Sequence, residues 1–354
     1  MHIQQIRDQL RQLGARPAHE DRVLRLWANA QAQDSGRRRL QDFMPLAVRE
    51  ALPALSEQLA SLARLQSRHD GEDGSARLLV ALSDGQIVES VLLPRDGLCV
   101  STQVGCAVGC VFCMTGQSGL LRQVGSAEIV AQVALARTLR PVKKVVFMGM
   151  GEPAHNLAAV IEAIDLLGTG GAIAHKNLVF STVGDERVFE ALPSQRVKPA
   201  LALSLHTSKA ELRAQLLPRA PRWDPADLVE AGERYAGATG YPIQYQWTLI
   251  AGVNDGDDEI EGIARLLSGK YALMNLIPYN RIEGLPYERP SWDRAAEMAR
   301  TLHRRSILTK LRQSAGQDVD AGCGQLRARS IRPRRAAPQP LRLRRGAAVA
   351  GPRA

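Results

Sequence analysis

Cys106-Ala107-Val108-Gly109-Cys110-Val111-Phe112-Cys113 decides how this chain is read. Three cysteines stand at C-x3-C-x2-C spacing, with an aromatic residue directly before the third. Thiolates this close together can hold an iron–sulfur cluster, and a four-iron cluster held by three cysteines keeps one iron open to another ligand. A zinc knuckle or three buried thiols are the plainer readings. Structural zinc calls for a fourth ligand close by, and the nearest candidate is Cys99, upstream of Cys106.

Outward from this stretch, strands and helices alternate. Apolar runs predict strands over 98–104, 143–149, 177–182, 199–205, 243–250, 271–277 and 306–312. Helical periodicity predicts helices over 126–139, 157–167, 208–216, 225–238, 258–268 and 292–305. Ser126 and Glu128 open the first of these with a capping hydroxyl and an early acid. Alternating βα units imply a parallel sheet with helices outside, hence an α/β chain. About six units make an open, partial (β/α)6 barrel, with ligands at the carboxyl ends of the strands. The cysteines follow the first strand, where that rule puts chemistry.

On the amino-terminal side, residues 1–66 read as helical, with Ile3, Ile6, Leu10 and Leu13 at helical spacing. Arg37, Arg38 and Arg39 form a basic run that reads equally as a solvated loop or an RNA-phosphate contact. His69–Ser75 is polar and reads as a linker. The runs 76–82 and 87–93, around Asp84-Gly85, read as a β-hairpin. The expected organisation is therefore a small helical accessory domain over 1–68, a hairpin and linker over 69–97, the barrel over 98–326 and a tail over 327–354.

Hydrophobic residues make up 45% and charged residues 23%, an ordinary globular composition. The net charge is +10, but nine arginines and no acid lie between Arg327 and Ala354, so nearly all of it belongs to the tail. This tail is rich in Arg, Pro, Ala and Gly and cannot bury a core. It reads either as an RNA-binding extension or as a non-homologous end from a frameshift. The polar start Met1–Asp8 has no apolar signal region, and no run approaches the ~18 apolar residues of a membrane span. Five cysteines with three clustered do not form a disulfide framework. A reducing cytoplasm is the expected compartment, with no membrane and a monomeric chain.

Further candidates stand at strand ends. Met148-Gly149-Met150-Gly151-Glu152-Pro153 is a glycine-rich turn in which Glu152 can accept a hydrogen bond from an ammonium group. Ser181, the run Ser204-Leu205-His206, and Asn280 offer short polar groups to a ribose, carboxylate or adenine. His206 reads as a positioning residue. Glu89, mid-strand among apolar neighbours, reads on its residues alone as a solvent-facing position. Cys323 stands between Gly322 and Gly324; it reads either as an incidental thiol or, as the flanking glycines suggest, as a sulfur on a mobile loop that reaches an active centre.

Taken together these motifs resemble the radical S-adenosylmethionine (SAM) adenine methyltransferases of RNA, the RlmN/Cfr family. The resemblance rests on Gly97–Cys106, the three loop cysteines, Met148–Pro153, Ser204–His206, Val253-Asn254-Asp255-Gly256, Asn275–Asn280 and Ala321–Leu326, in family order. It implies a [4Fe-4S] cluster on Cys106, Cys110 and Cys113, and two SAM molecules per turnover. It implies SAM contacts at Gly151, Glu152, Ser181, Ser204, Leu205, His206 and Asn280. Cys323 would carry the methyl group, and its carbon would be activated by a 5'-deoxyadenosyl radical and added to C2 or C8 of adenine. Glu89 would accept the proton, and Cys99 would release product through a transient disulfide with Cys323. The implied partners are ribosomal or transfer RNA and a flavodoxin- or ferredoxin-type electron donor.

The chain departs from the family pattern at Gln244-Tyr245-Gln246-Trp247-Thr248, where an acid is usual, at Arg281-Ile282-Glu283-Gly284, and in its tail. The alternatives are a radical-SAM enzyme with a different substrate and an RNA-binding protein with a structural cluster.

Overall fold

The structure, a computed structural model, describes residues 1–117 and 119–327. Apart from Arg327, the basic tail read in the sequence lies outside the described residues.

Three helices open the chain: α1 (Ile3–Gln12), α2 (Pro17–Ala28) and α3 (Leu46–Ser61). α1 buries Ile3, Ile6 and Leu10, one face of a helical repeat. Pro17 takes the first position of α2, where its missing N–H has no helical partner to lose. Arg7 and Arg11 grip the fully buried Glu20 of α2 at 3.2 and 2.8 Å. Arg37, Arg38 and Arg39 are exposed between α2 and α3.

The helical reading of 1–66 runs too far. Ala63–Asp70 is strand β1, paired antiparallel with β2 (Ala76–Leu82). Beyond Leu65 it has no apolar residue, so periodicity does not mark it, and the ladder with β2 supplies the order. β2 and β3 (Ile87–Leu93) form the expected hairpin, turning at Gly85 with φ +81°.

The chain continues through β4 (Gly97–Cys99), β5 (Gln103–Gly105), β6 (Leu120–Gln123), α4 (Ser126–Leu139), β7 (Lys144–Phe147), α5 (Leu157–Gly168), β8 (Leu178–Thr182) and α6 (Glu186–Ala191). It ends with β9 (Ala200–Ser204), α7 (Ala210–Leu216), α8 (Pro225–Thr239), β10 (Ile243–Leu249), α9 (Asp257–Leu267), β11 (Ala272–Pro278), α10 (Trp292–Arg304) and β12 (Thr309–Leu311). One ten-stranded sheet has the order β1-β2-β3-β4-β7-β8-β9-β10-β11-β12. It is antiparallel up to β4 and parallel from β4 to β12. This is the α/β architecture of an open, partial (β/α)6 barrel extended by a hairpin.

The expected strand over 98–104 is two strands in two sheets, because β5 pairs only with β6. Gln132 breaks the strand: its side chain accepts from the Ser101 N–H at 3.0 Å and donates to the Ser101 carbonyl at 2.9 Å. A side chain thus replaces a neighbouring strand there. Ser126 is also placed differently from expectation. The start of α4 is capped by Glu128, which accepts from the Gly125 N–H at 2.7 Å, while the Ser126 hydroxyl accepts from the Ile3 N–H at 2.9 Å and so ties α1 to α4.

The two faces of the curved sheet differ. Ile243, Tyr245, Trp247 and Leu249 of β10 are buried, and Gln244, Gln246 and Thr248 between them are half-buried. Tyr245 faces α8, donating to the Val229 carbonyl at 3.3 Å. The opposite face, with Gln244, Gln246 and Thr248, lines the barrel lumen. Parallel register puts Ala202 beside Gln244, Ser204 and Asn275 beside Gln246, and Lys310 beside Asn275 on that face. The buried residues of α1–α3 and of the barrel belong to one continuous apolar cluster. No helix among the described residues is long and apolar enough to cross a membrane.

Candidate active site

The site collects at the carboxyl ends of the parallel strands. Cys99 ends β4, in register with Val91 of β3 and Val146 of β7. The cysteine loop that follows lies between α7 and the 321–326 loop. The Val111 N–H donates to the Leu216 carbonyl at 3.1 Å, and the Met114 N–H donates to the Gly324 carbonyl at 2.7 Å. Gly109 has φ +68°, and Gly116 approaches it so closely that a Cβ there would meet the Gly109 Cα at 2.8 Å.

Burial pushes the Cys106 thiol up to about 12 and the Cys110 thiol well above its ordinary value, and each loop sulfur repels its neighbours. Among the described residues no three His, Cys, Asp or Glu side chains are drawn to metal-ligand distance. The donor set nevertheless fits an iron–sulfur cluster. Three soft thiols on one loop, with no fourth ligand among the described residues, suit an open-cornered cluster better than closed tetrahedral zinc.

Glu152, after β7, is 5% exposed and held on several sides. Its carboxylate accepts from the Ala154 and Val183 N–H groups at 3.2 and 3.1 Å, and its own N–H donates to Gln103 at 2.8 Å. Burial raises its pKa to about 7, against the opposing effect of hydrogen bonds from Thr182, Ala154 and Val183. Gly151 has φ +104°, and an added Cβ would meet the Gln103 side chain at 2.6 Å. Ser181 and Ser204 are half-buried, and neither hydroxyl has a hydrogen-bond partner among the described residues. Leu205 is wholly buried, so it can serve the site only through its backbone.

His206 sits at φ +64° and accepts at Nδ1 from the Thr248 N–H at 3.0 Å, which leaves the proton on Nε2. Burial, with the nearby Arg213 cation, lowers its pKa to about 3, so the ring is neutral. It meets Phe112 edge-on at 4.9 Å and thereby braces the residue before the third cysteine. Asn280 is 2% exposed and donates to the Cys323 carbonyl and the Ser314 hydroxyl, each at 2.9 Å. It therefore tethers the thiol loop.

Cys323 is solvent-accessible as a residue, but its sulfur sits in a recess beside Cys113, Arg312 and Ser314. Desolvation there raises its pKa, against the Arg312 charge and a hydrogen bond from Ser314. Burial, with the nearby Cys323, pushes Cys99 up to about 12. The two outlying thiols thus share one site. All five cysteines are free thiols, with no disulfide between Cys99 and Cys323.

Glu89 corrects the residue-level reading: it does not face solvent but is fully buried on β3. Its carboxylate lies 4.0 Å from Arg77 and accepts from the Arg327 N–H at 3.2 Å. Arg213 of α7 was not found from sequence. It is 2% exposed and donates to the Ser204 carbonyl at 3.1 Å and to the Val183 carbonyl, clamping two strand ends together. Its only sequence signal is an arginine among the apolar positions of α7.

Residues 100–267 match the radical SAM superfamily. A protein of Leptothrix cholodnii named "Probable RNA methyltransferase" is 74% identical over 94% of this chain and 96% of its own length. One of Methylibium petroleiphilum with the same description is 74% identical over 94% of each chain. The crystal structure of a radical SAM methyltransferase from Sphaerobacter thermophilus superposes with a TM-score of 0.79 at 33% identity, covering 93% of this chain and 98% of that one. Identity carried over nearly the whole length, and not over one shared domain, makes this chain a member of the radical SAM RNA methyltransferase family.

Proposed function

We propose that the chain methylates an aromatic carbon, C2 or C8, of adenosine in ribosomal or transfer RNA. The observation that carries this reading is the approach of two thiols distant in sequence: Cys99 ends β4 where the cysteine loop begins, the Cys323 loop is held against that loop by the Met114 N–H on the Gly324 carbonyl at 2.7 Å, and Cys323 lies close enough for its charge to bear on Cys99. A radical SAM enzyme needs only its loop cysteines to hold a cluster, and two more thiols meeting beside them call for a covalent role.

Cys106, Cys110 and Cys113 would hold the four-iron cluster, with SAM bound among Gly151, Glu152, Ser181, Ser204, Leu205, His206 and Asn280. When bound, these two groups supply one-electron chemistry at carbon, which polar displacement cannot deliver to an electron-poor ring carbon. Glu152, held by two backbone N–H groups, accepts from an ammonium, and the free Ser181 and Ser204 hydroxyls face the lumen for further hydrogen bonds. Asn280 holds the Cys323 loop while its sulfur carries the carbon to be transferred, and Glu89 accepts the proton lost from the ring. The Cys99 thiolate then attacks the Cys323 sulfur: an S–S bond forms, the S–C bond breaks with its electron pair left on the transferred carbon, and that carbon takes up a proton to become the methyl group. The scheme uses two SAM molecules per turnover and a flavodoxin- or ferredoxin-type electron donor, in a monomeric cytoplasmic enzyme.

Cys99→Ala removes the resolving thiol and is expected to trap a covalent protein–RNA adduct visible by mass spectrometry. Normal turnover without an adduct would sink the roles given to both cysteines. Mass spectrometry of RNA from a deletion strain identifies the methyladenosine that disappears.

A further inference from the structure

Three cations converge on the barrel lumen without a carboxylate to neutralise them. Lys144 alternates with the outward-packed Val145 and Phe147, both nearly fully buried, and so faces the lumen with Val146. Lys310 stands in parallel register with Asn275, one residue from Leu311, which packs outward beside Leu276. Arg312 follows two residues later, with its N–H still on the β11 ladder at 2.7 Å from the Leu276 carbonyl. β7 and β12 are far apart in the strand order, with β8, β9, β10 and β11 between them. Their side chains can meet only across the inside of the curved sheet. Lys144 does feel the charges of Arg312 and Lys310 there, and burial, together with these charges, depresses its pKa. None of the three forms an ion pair among the described residues, whereas the adjacent Lys143, on the other face, is exposed and bound to Asp96 at 2.9 Å.

A second observation points to a ligand in the same lumen. Asn275, in register with Lys310 and Gln246, is 2% exposed, and its Oδ1 has no hydrogen-bond partner. A buried acceptor left unpaired beside three unpaired cations describes a site short of one anionic group and one N–H donor. A nucleotide brings both. Arg312 also lies beside the Cys323 thiol, so the anion would sit next to the sulfur that meets the base.

We propose that Lys144, Lys310 and Arg312 hold a backbone phosphate of the target nucleotide, with Asn275 Oδ1 accepting from its base. This rests on the RNA reading above and adds the groups that seat the RNA in the barrel. The three cations would touch phosphate without reading sequence, whereas Asn275 would read a base edge.

The test is fluorescence anisotropy of a labelled adenosine-containing single-stranded RNA against the cluster-loaded enzyme, over a range of salt. Lys144→Gln, Lys310→Gln and Arg312→Gln are each expected to weaken binding several-fold. A Lys310→Gln/Arg312→Gln double variant should flatten the plot of log affinity against log salt by about 0.7 for each phosphate it no longer neutralises. Lys143→Gln removes the same charge outside the lumen and should change neither. Lys310 and Arg312 are exposed, so their variants carry the test even if Lys144→Gln folds poorly. Lumen variants that bind like Lys143→Gln, with a wild-type salt slope, overturn the phosphate site and leave the RNA reading standing. Wild-type enzyme without salt-dependent RNA affinity overturns the RNA reading itself.

Discussion

Arg213 and His206 hold the site's geometry from beneath, and each makes a distinct prediction. The Arg213 guanidinium is desolvated, its pKa lowered to about 10 by burial, yet it remains charged and clamps the Val183 and Ser204 carbonyls. Arg213→Ala leaves two carbonyls without that donor and opens a hole beside Glu152. A loss of about 3 kcal/mol is expected in denaturant titration, together with weaker SAM binding by calorimetry. His206 has a folded pKa of about 3, below its unfolded value. The unfolded chain therefore binds the proton first, so the histidine's contribution is complete above about pH 6.5 and is lost as pH falls toward 3. His206→Asn, which tolerates the left-handed backbone, should flatten stability between these limits by roughly a few kcal/mol, read from urea midpoints at each pH. An unchanged acid slope would mean that His206 does not carry that sensitivity.

At the scale of elements, the loop carrying Cys323 is fixed more by its partners than by itself. Asn280 holds the Cys323 carbonyl, and a Cβ on Gly322 would strike the Asn280 amide nitrogen at 2.7 Å. Asn280→Ala and Gly322→Ala should therefore fail alike, with faster hydrogen exchange over 316–327 and at least about tenfold slower methyl transfer, since small misplacements of a reacting group are costly. Exchange left at the wild-type rate in both would remove the tether from the account. The elements themselves were legible where local pattern and tertiary context agree. The strands around Val145, Phe180 and Trp247 carry strong apolar signals, and α8 announces itself with Asp224 accepting from the Ala226 N–H, Pro225 at its first turn and Gly240 at φ +74°. β1 was not legible, because its pairing to β2 and not its composition makes it a strand. The break after Cys99 depends on Gln132, a residue on α4 that no local window contains. The same division holds in the site. The cysteines and Glu152 are marked by spacing and by glycines, while Arg213, Lys144 and Asn275 acquire meaning only once the sheet curves.

For the molecule as a whole, the amino-terminal helices and the barrel share one apolar core. Ile6 of α1 is fully buried in the apolar cluster that also contains Val130, Phe180 and Trp247. The Ile3 N–H is held by Ser126, and the Gln4 N–H donates to Glu162 of α5 at 2.8 Å. Arg137 of α4 reaches back to the Ala28 carbonyl at 2.7 Å. A helical appendage joined only by a linker would melt alone when its packing is damaged. A helical layer whose side chains are part of the barrel's core would bring the barrel down with it. Ile6→Ala is expected to cost about 2–4 kcal/mol through reduced burial and the cavity left behind. The loss should appear as one shifted transition, coincident by far-UV circular dichroism and by the fluorescence of Trp247 in a background where Trp27, Trp223 and Trp292 are replaced by Phe, since Trp247 lies on β10 far from the substitution in sequence. Two separated transitions, with the tryptophan signal melting at the wild-type temperature, would show instead that the helices are an independent unit and that the continuity of the core does not couple them.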